Sequence, residues 1–352
     1  MPLVKLNNIK IGYIPYSPSL EAPGDRRRFI FFAKRTNLNY EIYDSTKKYD
    51  LVVANSLTDP DLLLNLPRDT KLIFDFADAY MAENLFSIRG IFRGLIRYSK
   101  GKSSKFYFNY KNAFLDLMKR SEVVICSSPE QKKLITPFCK KVKVILDSHI
   151  DECNKVKKNF KLGNTINIAW EGQHATLPSL LFLAKKISKT YLSPHVNFHI
   201  VTDDPTHNLD KLIYGNSIKK YLSKKKYNIS FYPWSIENMN NLAEKCDIAI
   251  IPVNLKNPMH ALKPENRLNL FWRLGLPVLA TSTEANIRAM KNCNHDLFFE
   301  SPYEFFKKIE LLRNCPDLIK KYSQTALNYI HSKLTTQYYI DLWHKTLMDS
   351  LD

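Results

Sequence analysis

The stretch 247–282, DIAIIPVNLKNPMHALKPENRLNLFWRLGLPVLATS, decides the fold class. It begins with an apolar run, IAIIPV over 248–253, and ends with a second, PVLATS over 277–282. Short apolar runs of this kind are typical of buried parallel strands. Between them lie a polar loop and an apolar-periodic segment, LNLFWRL, which stops at Gly275 in the manner of a helix. Strand, loop, helix and strand in this order predict one βαβ crossover.

The loop of this crossover carries Lys263, Glu265, Asn266 and Arg267 at the start of the predicted helix. In open α/β sheets, ligands bind beyond the carboxyl ends of the strands, where such a loop meets a helix N-terminus. Backbone N–H groups at a helix start attract anions, and neighbouring Lys and Arg side chains add positive charge. The pattern therefore indicates a binding site for a phosphorylated ligand. The alternative is a solvated crossover loop, because loops with two basic residues are common.

Composition bounds the class of protein and of partner. A chain of 352 residues suits two domains of ordinary size, and an apolar fraction of 45% suffices for a core in each. The 52 Lys and Arg against 34 Asp and Glu give a net charge of +18, which favours nucleic acid, an acidic membrane surface or phosphorylated substrates as partners. The six cysteines show no C-x-x-C spacing, which argues against a zinc or redox site and favours a reducing compartment.

The sequence also bounds the location. Its first residues, MPLVKLNNIKIGYIP, contain no apolar signal-peptide core, and no run approaches the roughly 18 apolar residues of a membrane span. We therefore expect a cytoplasmic protein that is soluble or peripheral on the inner face of the cell membrane.

Two successive series of alternating strands and helices predict two doubly wound α/β domains. The first occupies residues 1–150 and the second residues 166–334, with a charged linker over 151–165 and an amphipathic helix over 335–352. Ser128, followed by Pro129, marks one helix start. The predicted strands span 9–15, 49–55, 71–76, 122–127, 142–147, 166–170, 196–202, 228–234, 247–253, 277–281 and 296–300. The other predicted helices span about 26–35, 176–190, 208–225, 236–245, 265–274, 283–291 and 302–313.

Several fragments resemble, in the right order, the GT-B glycosyltransferases of the family-4-like branch, also called glycosyltransferase group 1. INIAWEGQHATLPSLL is similar to the first strand, glycine turn and helix of that family's donor domain. KPENRLNLFWRLGLPVLATS resembles its K-x-x-N-[KR] helix followed by G-x-P-V-[VL]-A, and KLIFDFADAYM resembles the N-terminal strand whose acidic end faces the cleft. The resemblance implies two doubly wound Rossmann-like domains facing across a cleft, with the C-terminal helix crossing back to the N-terminal domain.

The resemblance also implies an activity: transfer of a hexose or related sugar from a nucleotide-sugar donor to a glycan or lipid-linked acceptor, in bacterial surface polysaccharide or lipopolysaccharide synthesis. One departure concerns the stereochemistry. Many enzymes of the family carry two glutamates eight positions apart in the crossover, and those positions are Leu262 and Leu270 here. Glu265 is the only carboxylate in this loop and helix, and we take it as a catalytic candidate.

The leaving diphosphate of a nucleotide sugar needs positive charge or oriented N–H donors. Lys263 and Arg267, with the helix start near Asn266, supply these without a metal ion, so we expect no metal and no cofactor. Gly172 follows a predicted strand and lets the backbone approach a phosphate closely. An ordinary turn glycine is equally consistent with its local pattern.

Other donor contacts are predicted around the same strand ends. Glu171 contacts a sugar hydroxyl or the base, or it caps the following turn, and His174 is a rival for donor contact. By resemblance, the loop 232–238 holds the base, where Ser235 is also a typical helix N-cap. Thr281, at the end of the last strand of the crossover, is the remaining candidate.

An acceptor hydroxyl needs a general base, preferably a carboxylate or a histidine. Asp75 and Asp78 lie at the end of a predicted buried strand, and Asp78 is the first candidate because Asp75 also suits a turn cap. His149 lies at the end of the last N-terminal strand, where a lone histidine is more often structural.

The segment 88–111, IRGIFRGLIRYSKGKSSKFYFNYK, contains seven Lys and Arg and no acid. Arg89, Arg93 and Arg97 recur every four residues, so a helix aligns them on one face, with apolar side chains largely on the other. This pattern is typical of a helix that lies on an anionic membrane surface. The alternative is an amphipathic helix packed on the N-terminal domain with its arginines in solvent.

Two other functions compete with glycosyl transfer. The net charge and the interleaved aromatic residues also suit a nucleic-acid-binding protein, but no helix-turn-helix, RNA-recognition or zinc motif is present, so nucleic acid is not the expected partner. The missing glutamate pair suits a GT-B-like subunit that binds a ligand without catalysis. The expected partners are a nucleotide sugar, a glycan or lipid-linked acceptor, and an anionic membrane surface.

Overall fold

The computed structural model describes Leu6 and residues 8–82, 95–101, 103–203 and 228–351. Among these residues there are two sheets, each of six parallel strands. The chain divides into two compact units. The first holds the described residues up to Ser148, the segment Asn257–Pro264 and the C-terminal segment from Thr335. The second holds His149–Lys256 and Glu265–Leu334.

The first sheet has the strand order β2-β1-β3-β4-β5-β6. Its switch point lies between β1 and β3, because the chain adds β2 on one side of β1 and all later strands on the other side. Its central strands are buried along their length, as parallel strands covered by helices on both faces must be. The strands are β1 Ile11–Tyr13, β2 Glu41–Ile42, β3 Leu51–Asn55, β4 Lys71–Asp75, β5 Val123–Cys126 and β6 Val142–Val144.

One helix of the first unit begins at the residue that the sequence marks as its cap. The hydroxyl of Ser128 accepts a hydrogen bond from the N–H of Gln131 at 3.2 Å, with Pro129 at the first helical position. The helices are α1 Pro23–Arg26, α2 Phe29–Thr36, α3 Pro60–Leu64, α4 Tyr110–Arg120 and α5 Pro129–Ile135.

The second sheet has the order β9-β8-β7-β10-β11-β12. This is the Rossmann order, in which the second and third strands are added on one side of the first and the later strands on the other side. The switch point therefore lies between the first and fourth strands, here β7 and β10. Ligands of such sheets bind beyond the strand ends at that switch point. The strands are β7 Ile166–Glu171, β8 Val196–Thr202, β9 Asn228–Pro233, β10 Ile248–Ile251, β11 Val278–Thr281 and β12 Phe298–Phe299.

The crossover predicted for residues 247–282 is present: β10 is followed by a loop, a helix that starts at Asn266, and β11. Gly275 ends its helix with a positive φ of 71°, a conformation that costs glycine little. After β7, the helices are α6 Leu177–Ile187, α7 Ile236–Lys245, α8 Pro258–Ala261, α9 Asn266–Arg273, α10 Glu284–Asn292, α11 Pro302–Asn314, α12 Asp317–Lys333 and α13 Thr336–Leu351.

The C-terminal helix α13 packs on the first unit, as the resemblance implies. The ring of Trp343 lies 5.8 Å from that of Phe29 and 6.3 Å from that of Phe32, both on α2. The hydroxyl of Tyr339 donates to the carbonyl of Asp147 at 3.2 Å. Aromatic packing and a hydrogen bond therefore join the end of the chain to its first domain.

Several elements differ from the prediction. The short edge strand β2 and the helices α1, α3, α4, α8 and α12 were not predicted, and the helix predicted at 208–225 lies outside the described residues. The confirmed part is the fold class: two doubly wound parallel sheets with flanking helices. No helix in the described part of the chain has the length and apolar content needed to cross a bilayer.

Candidate donor site and acceptor-side residues

The carboxyl end of β7, at the switch point of the second sheet, brings together three of the predicted site residues. One carboxylate oxygen of Glu171 accepts a hydrogen bond from Nε1 of Trp234 at 3.0 Å. The backbone carbonyl of Glu171 accepts another from Nη1 of Arg267 at 3.3 Å. Glu171 is buried, and its two contacts join the end of β7 to the start of α9 and to the loop after β9. Trp234 is not among the predicted site residues.

Gly172 packs closely against Arg267, so a side chain at this position would require a neighbouring atom to move by a few tenths of an ångström. A Cβ on this residue would meet Cζ2 of Trp170 at 3.0 Å, Nη1 of Arg267 at 3.1 Å and Oγ1 of Thr176 at 3.1 Å. The Gly172 carbonyl also accepts a hydrogen bond from the Thr202 hydroxyl at 2.8 Å. The glycine is therefore more than an ordinary turn residue, because its missing side chain is what allows the guanidinium to approach the strand end.

Arg267 lies in the first turn of α9, beside Asn266, which is the first residue of that helix. Burial lowers the pKa of its guanidinium, and the neighbouring Glu171 opposes this shift. An arginine whose pKa is lowered from 12.5 still carries its charge at neutral pH. A fixed positive charge therefore stands at a helix N-terminus and at the switch point of the sheet.

Glu265 is buried immediately before α9 and forms a two-pronged ion pair. Its carboxylate oxygens accept from Nη1 and Nη2 of Arg288 at 2.8 and 2.9 Å. Such a pair holds a carboxylate in a fixed orientation. The catalytic role predicted for Glu265 stays a prediction, and the structure adds that Arg288 on α10 holds both of its oxygens.

Lys263 lies in the segment Asn257–Pro264, which belongs to the first unit, whereas Arg267 belongs to the second. Its backbone N–H donates to the carbonyl of His260 at 3.3 Å. The joint action of Lys263 and Arg267 on one phosphate group stays a prediction.

The other predicted donor contacts lie at strand ends of the second unit. His174 is buried, and its backbone N–H donates to Oδ1 of Asp203 at 2.6 Å. The hydroxyl of Ser235 caps α7 by accepting from the N–H of Asn238 at 3.0 Å, as the alternative interpretation of this residue expected. The hydroxyl of Thr281 accepts from the N–H of Val253 at 2.9 Å and joins the ends of β10 and β11. All three residues help to shape these loops.

On the first unit, the two aspartates at the end of β4 have different roles. Asp75 is buried and accepts from Nε and Nη2 of Arg28 at 2.7 and 2.6 Å. Arg28 also donates to Asp147 at 2.9 Å. Burial raises the pKa of Asp75, and the Arg28 guanidinium opposes this shift. Asp75 is therefore a structural anchor rather than a turn cap, whereas Asp78 is exposed.

The loop after β1 is organised by Asp25, which the sequence analysis did not identify. This carboxylate is buried and accepts from the hydroxyl of Tyr13 at 2.6 Å and from the N–H groups of Tyr16 and Ser17 at 2.8 and 3.0 Å. Burial raises the pKa of Tyr13, and the hydrogen bond to Asp25 raises it further. The loop at the switch point of the first sheet is therefore held by hydrogen bonds to one buried acidic side chain.

His149, the third catalytic candidate, is buried in the second unit. Its Nδ1 lies 3.2 Å from Oε2 of Glu152. Burial and a carboxylate partner favour the structural interpretation of this histidine. Among the described residues, no group of three His, Cys, Asp or Glu side chains is arranged to hold a metal ion.

The predicted basic face of segment 88–111 needs a correction. Arg89 and Arg93 lie outside the described residues, but Arg97 is described and is buried. Its Nη2 donates to the carbonyl of Leu57 at 2.6 Å, and its guanidinium lies 4.9 Å from the ring centre of Tyr110. The prediction that Arg97 faces a membrane or solvent is therefore wrong, because backbone carbonyls and an aromatic ring hold it inside the first unit.

No protein-family model and no curated protein sequence matches this chain. Solved structures do match it. A glycosyltransferase from Rickettsia africae ESF-5 superimposes with a TM-score of 0.65 and 14% identity, over 98% of this chain and 99% of the other. WaaG, a glycosyltransferase involved in lipopolysaccharide biosynthesis, gives 0.58 and 11%, over 96% of this chain and 99% of the other.

A third similar structure is a mutant of S. aureus TarM in complex with fondaparinux, alpha-GlcNAc-glycerol and UDP. It gives a TM-score of 0.57 and 12% identity over 84% of this chain, which spans only 55% of the TarM chain. At these identities the similarity concerns the fold. With its two Rossmann-like units, the chain has the GT-B fold of these glycosyltransferases.

Proposed function

We propose that this protein is a glycosyltransferase that moves a hexose or related sugar from a nucleotide-sugar donor to a glycan or lipid-linked acceptor. The observation that carries the proposal is the end of β7, where the guanidinium of Arg267 packs against Gly172 and hydrogen-bonds to Glu171. The GT-B fold supports it, and so does the UDP found with TarM, a protein of the same fold.

The leaving group sets the main chemical demand on the donor side. As the bond between the sugar and the diphosphate breaks, negative charge grows on the diphosphate, and fixed positive charge stabilises it. Arg267 and the positive end of the α9 dipole supply that charge without a metal ion. In this proposal Glu171 contacts the sugar or the base, and Trp234 holds its carboxylate in place.

The acceptor hydroxyl loses its proton as its oxygen bonds to the sugar carbon. Asp78 is the proposed base, because it is an exposed carboxylate at the end of β4, whereas Asp75 is bound to Arg28. Replacing such a base typically lowers the rate by about 10²–10⁴-fold. The biological setting we propose is bacterial surface polysaccharide or lipopolysaccharide synthesis, which the similarity in fold to WaaG supports.

A thermal-unfolding screen with UDP, GDP and their sugar conjugates tests the donor half of the proposal. A nucleotide present at a hundred times its dissociation constant stabilises the folded state by about 2.7 kcal/mol. We expect the shift in Tm to be lost in Arg267→Met and retained in Lys291→Met, which removes one exposed charge at the end of α10. If no nucleotide raises the Tm, the proposal fails.

Release of the nucleoside diphosphate from the stabilising nucleotide sugar then separates an enzyme from a binding subunit. We expect slow hydrolysis of the donor by the wild type. Asp78→Asn should abolish most sugar transfer once an acceptor is identified, while the Tm shift with nucleotide stays unchanged. A protein that binds the nucleotide sugar but never releases the diphosphate is a non-catalytic subunit.

A further inference from the structure

One surface of the first unit exposes large apolar side chains in an unusual density. Within fourteen residues, 95–108, five of them are between 46% and 67% exposed: Leu95, Ile96, Tyr98, Phe106 and Phe108. Residues 95–99 form a helical turn, on which side chains three positions apart are neighbours. The rings of Tyr98 and Phe106 contact each other edge to face at 6.0 Å, so the two ends of the segment meet. We call these five side chains the 95–108 surface.

The polar groups of the same segment point the other way and hold it in place. Arg97 donates to the carbonyl of Leu57, and the hydroxyl of Tyr107 donates to Oδ1 of Asp61 at 2.8 Å. The N–H of Ser104 donates to Oδ2 of Asp59 at 2.9 Å. A segment packed on a water-soluble domain ordinarily buries its apolar side chains and exposes its polar ones. Here five large apolar side chains are exposed, while Arg97, Tyr107 and the Ser104 N–H form long-range hydrogen bonds that hold the segment in this arrangement.

The charge around the surface selects the kind of partner. Segment 88–111 has seven Lys and Arg and no acid. Lys100 is exposed, and the side chain of Lys105 is 72% exposed although its ammonium group lies 3.3 Å from Asp61. The carboxylates in contact with this segment, Asp59 and Asp61, are bonded to Ser104, Tyr107 and Lys105. Exposed apolar and aromatic side chains with exposed lysines beside them match the boundary between acyl chains and anionic headgroups.

The second unit shows what an ordinary exposed aromatic side chain looks like in this protein. Phe182 and Tyr303 are 55% and 65% exposed, but each lies under the ammonium group of a lysine on its own helix, at 5.6 and 4.5 Å. These are single exposed rings on helices whose other faces are buried. Single rings of this kind need no partner, whereas five exposed apolar side chains within fourteen residues, two of them in ring contact, are typical of an interaction site.

We propose that the 95–108 surface binds the protein to an anionic lipid bilayer. In this arrangement Phe106 and Phe108 enter the boundary between headgroups and acyl chains, and Lys100 and Lys105 contact the headgroups. This places the first unit on the membrane through side chains other than the arginine stripe that the sequence indicated. The inference does not depend on the sugar donor, so its failure leaves the proposed glycosyl transfer untouched.

Sedimentation with lipid vesicles tests the proposal on the full chain. The probes are vesicles of phosphatidylcholine alone and vesicles of equal parts phosphatidylcholine and phosphatidylglycerol. We expect binding to the anionic vesicles only, weakened about tenfold or more in the double variant Phe106→Ser/Phe108→Ser. Lys100→Gln and Lys105→Gln should each weaken it about fivefold, and added salt should weaken it further.

The matched control is Phe182→Ser/Tyr303→Ser, which removes two equally exposed rings from the second unit and should bind vesicles like the wild type. Both double variants should keep the Tm of the wild type, because they change exposed side chains. Absence of binding to anionic vesicles overturns the proposal, and so does equal weakening by the control. Analytical ultracentrifugation distinguishes one further outcome. If neither protein binds vesicles, and the wild type dimerises while the Phe106→Ser/Phe108→Ser variant does not, the surface is instead an interface between copies of the chain.

Discussion

Replacing Gly172 by alanine tests whether this glycine provides the space for Arg267. A Cβ at position 172 meets Trp170, Arg267 and Thr176 at 3.0, 3.1 and 3.1 Å. Ordinary contacts between carbon atoms are about 3.5–4.0 Å. Trp170 is fully buried, and the Thr176 hydroxyl donates to the carbonyl of Gln173 at 2.9 Å. The guanidinium, the far end of a flexible side chain, is therefore the neighbour that moves.

The cost follows from what Arg267 gives up. Its hydrogen bond to the Glu171 carbonyl, at 3.3 Å, is lost when the guanidinium moves. A bond from a charged donor contributes about 1.5–3 kcal/mol, so we expect the free energy of unfolding to fall by about that amount. Moving the guanidinium away from a bound diphosphate should therefore weaken UDP binding by about tenfold to a hundredfold.

Isothermal titration with UDP measures the effect in a double-mutant cycle of wild type, Gly172→Ala, Arg267→Met and the double variant. Because the alanine acts through Arg267, it should change UDP affinity little once the arginine is absent. The control is Gly163→Ala, at a glycine where a Cβ meets nothing within 4 Å. If the losses from Gly172→Ala and Arg267→Met add in full, the two residues act independently and the reasoning is refuted.

Two further predictions concern buried ionisable side chains. Burial against Trp272 and Tyr322, whose rings lie 5.5 and 5.0 Å away, lowers the pKa of His295 from 6.5 to about 4, so the folded state holds this ring neutral. The stability that the neutral ring contributes is present above pH 6.5 and falls by about 3 kcal/mol as the pH drops toward 4. Urea denaturation at a series of pH values should show this loss in the wild type and a smaller loss in His295→Phe. A variant with the same pH profile as the wild type would contradict the prediction. Arg28→Met leaves Asp75 buried without its partner and should lower the free energy of unfolding by about 3–5 kcal/mol, whereas Arg28→Met/Asp75→Leu should recover part of that loss; a single variant as stable as the wild type would count against the pairing.

The strands could be predicted because a buried parallel strand is a continuous apolar run. Strands β10 and β11 have this pattern, whereas Asn167 interrupts it in β7. The edge strand Glu41–Ile42 could not be predicted, since it has only two residues and both are exposed. Helix α12 was missed because its buried face includes Ser323 and Ala326 between its isoleucines, which weakens the apolar period. The Ser323 hydroxyl donates to the carbonyl of Gly275 at 2.7 Å, a contact made only in the folded chain.

At the candidate site, sequence reasoning found the residues near strand ends but not the partners that position them. Gly172 and Arg267 were identified because a glycine after a strand and a basic residue at a helix start have local signals. Trp234, which holds Glu171, and Arg288, which holds Glu265, lie 63 and 23 residues away from those carboxylates. A hydrogen bond across such a distance has no periodicity, so only the folded sheet shows which polar side chain meets which.

Arg97 shows the limit of assigning a face by residue type alone. Helical spacing placed it on a polar face, yet its guanidinium is buried, donates to the carbonyls of Leu57 and Thr58 and lies over the ring of Tyr110. An arginine is suited to this because its planar group offers five donors and stacks on aromatic rings. Removing it would release the segment from the domain, so weaker lipid binding by an Arg97 variant would report lost structure. Exposed Lys100, which carries charge without holding the fold, is the proper probe of contact with lipid.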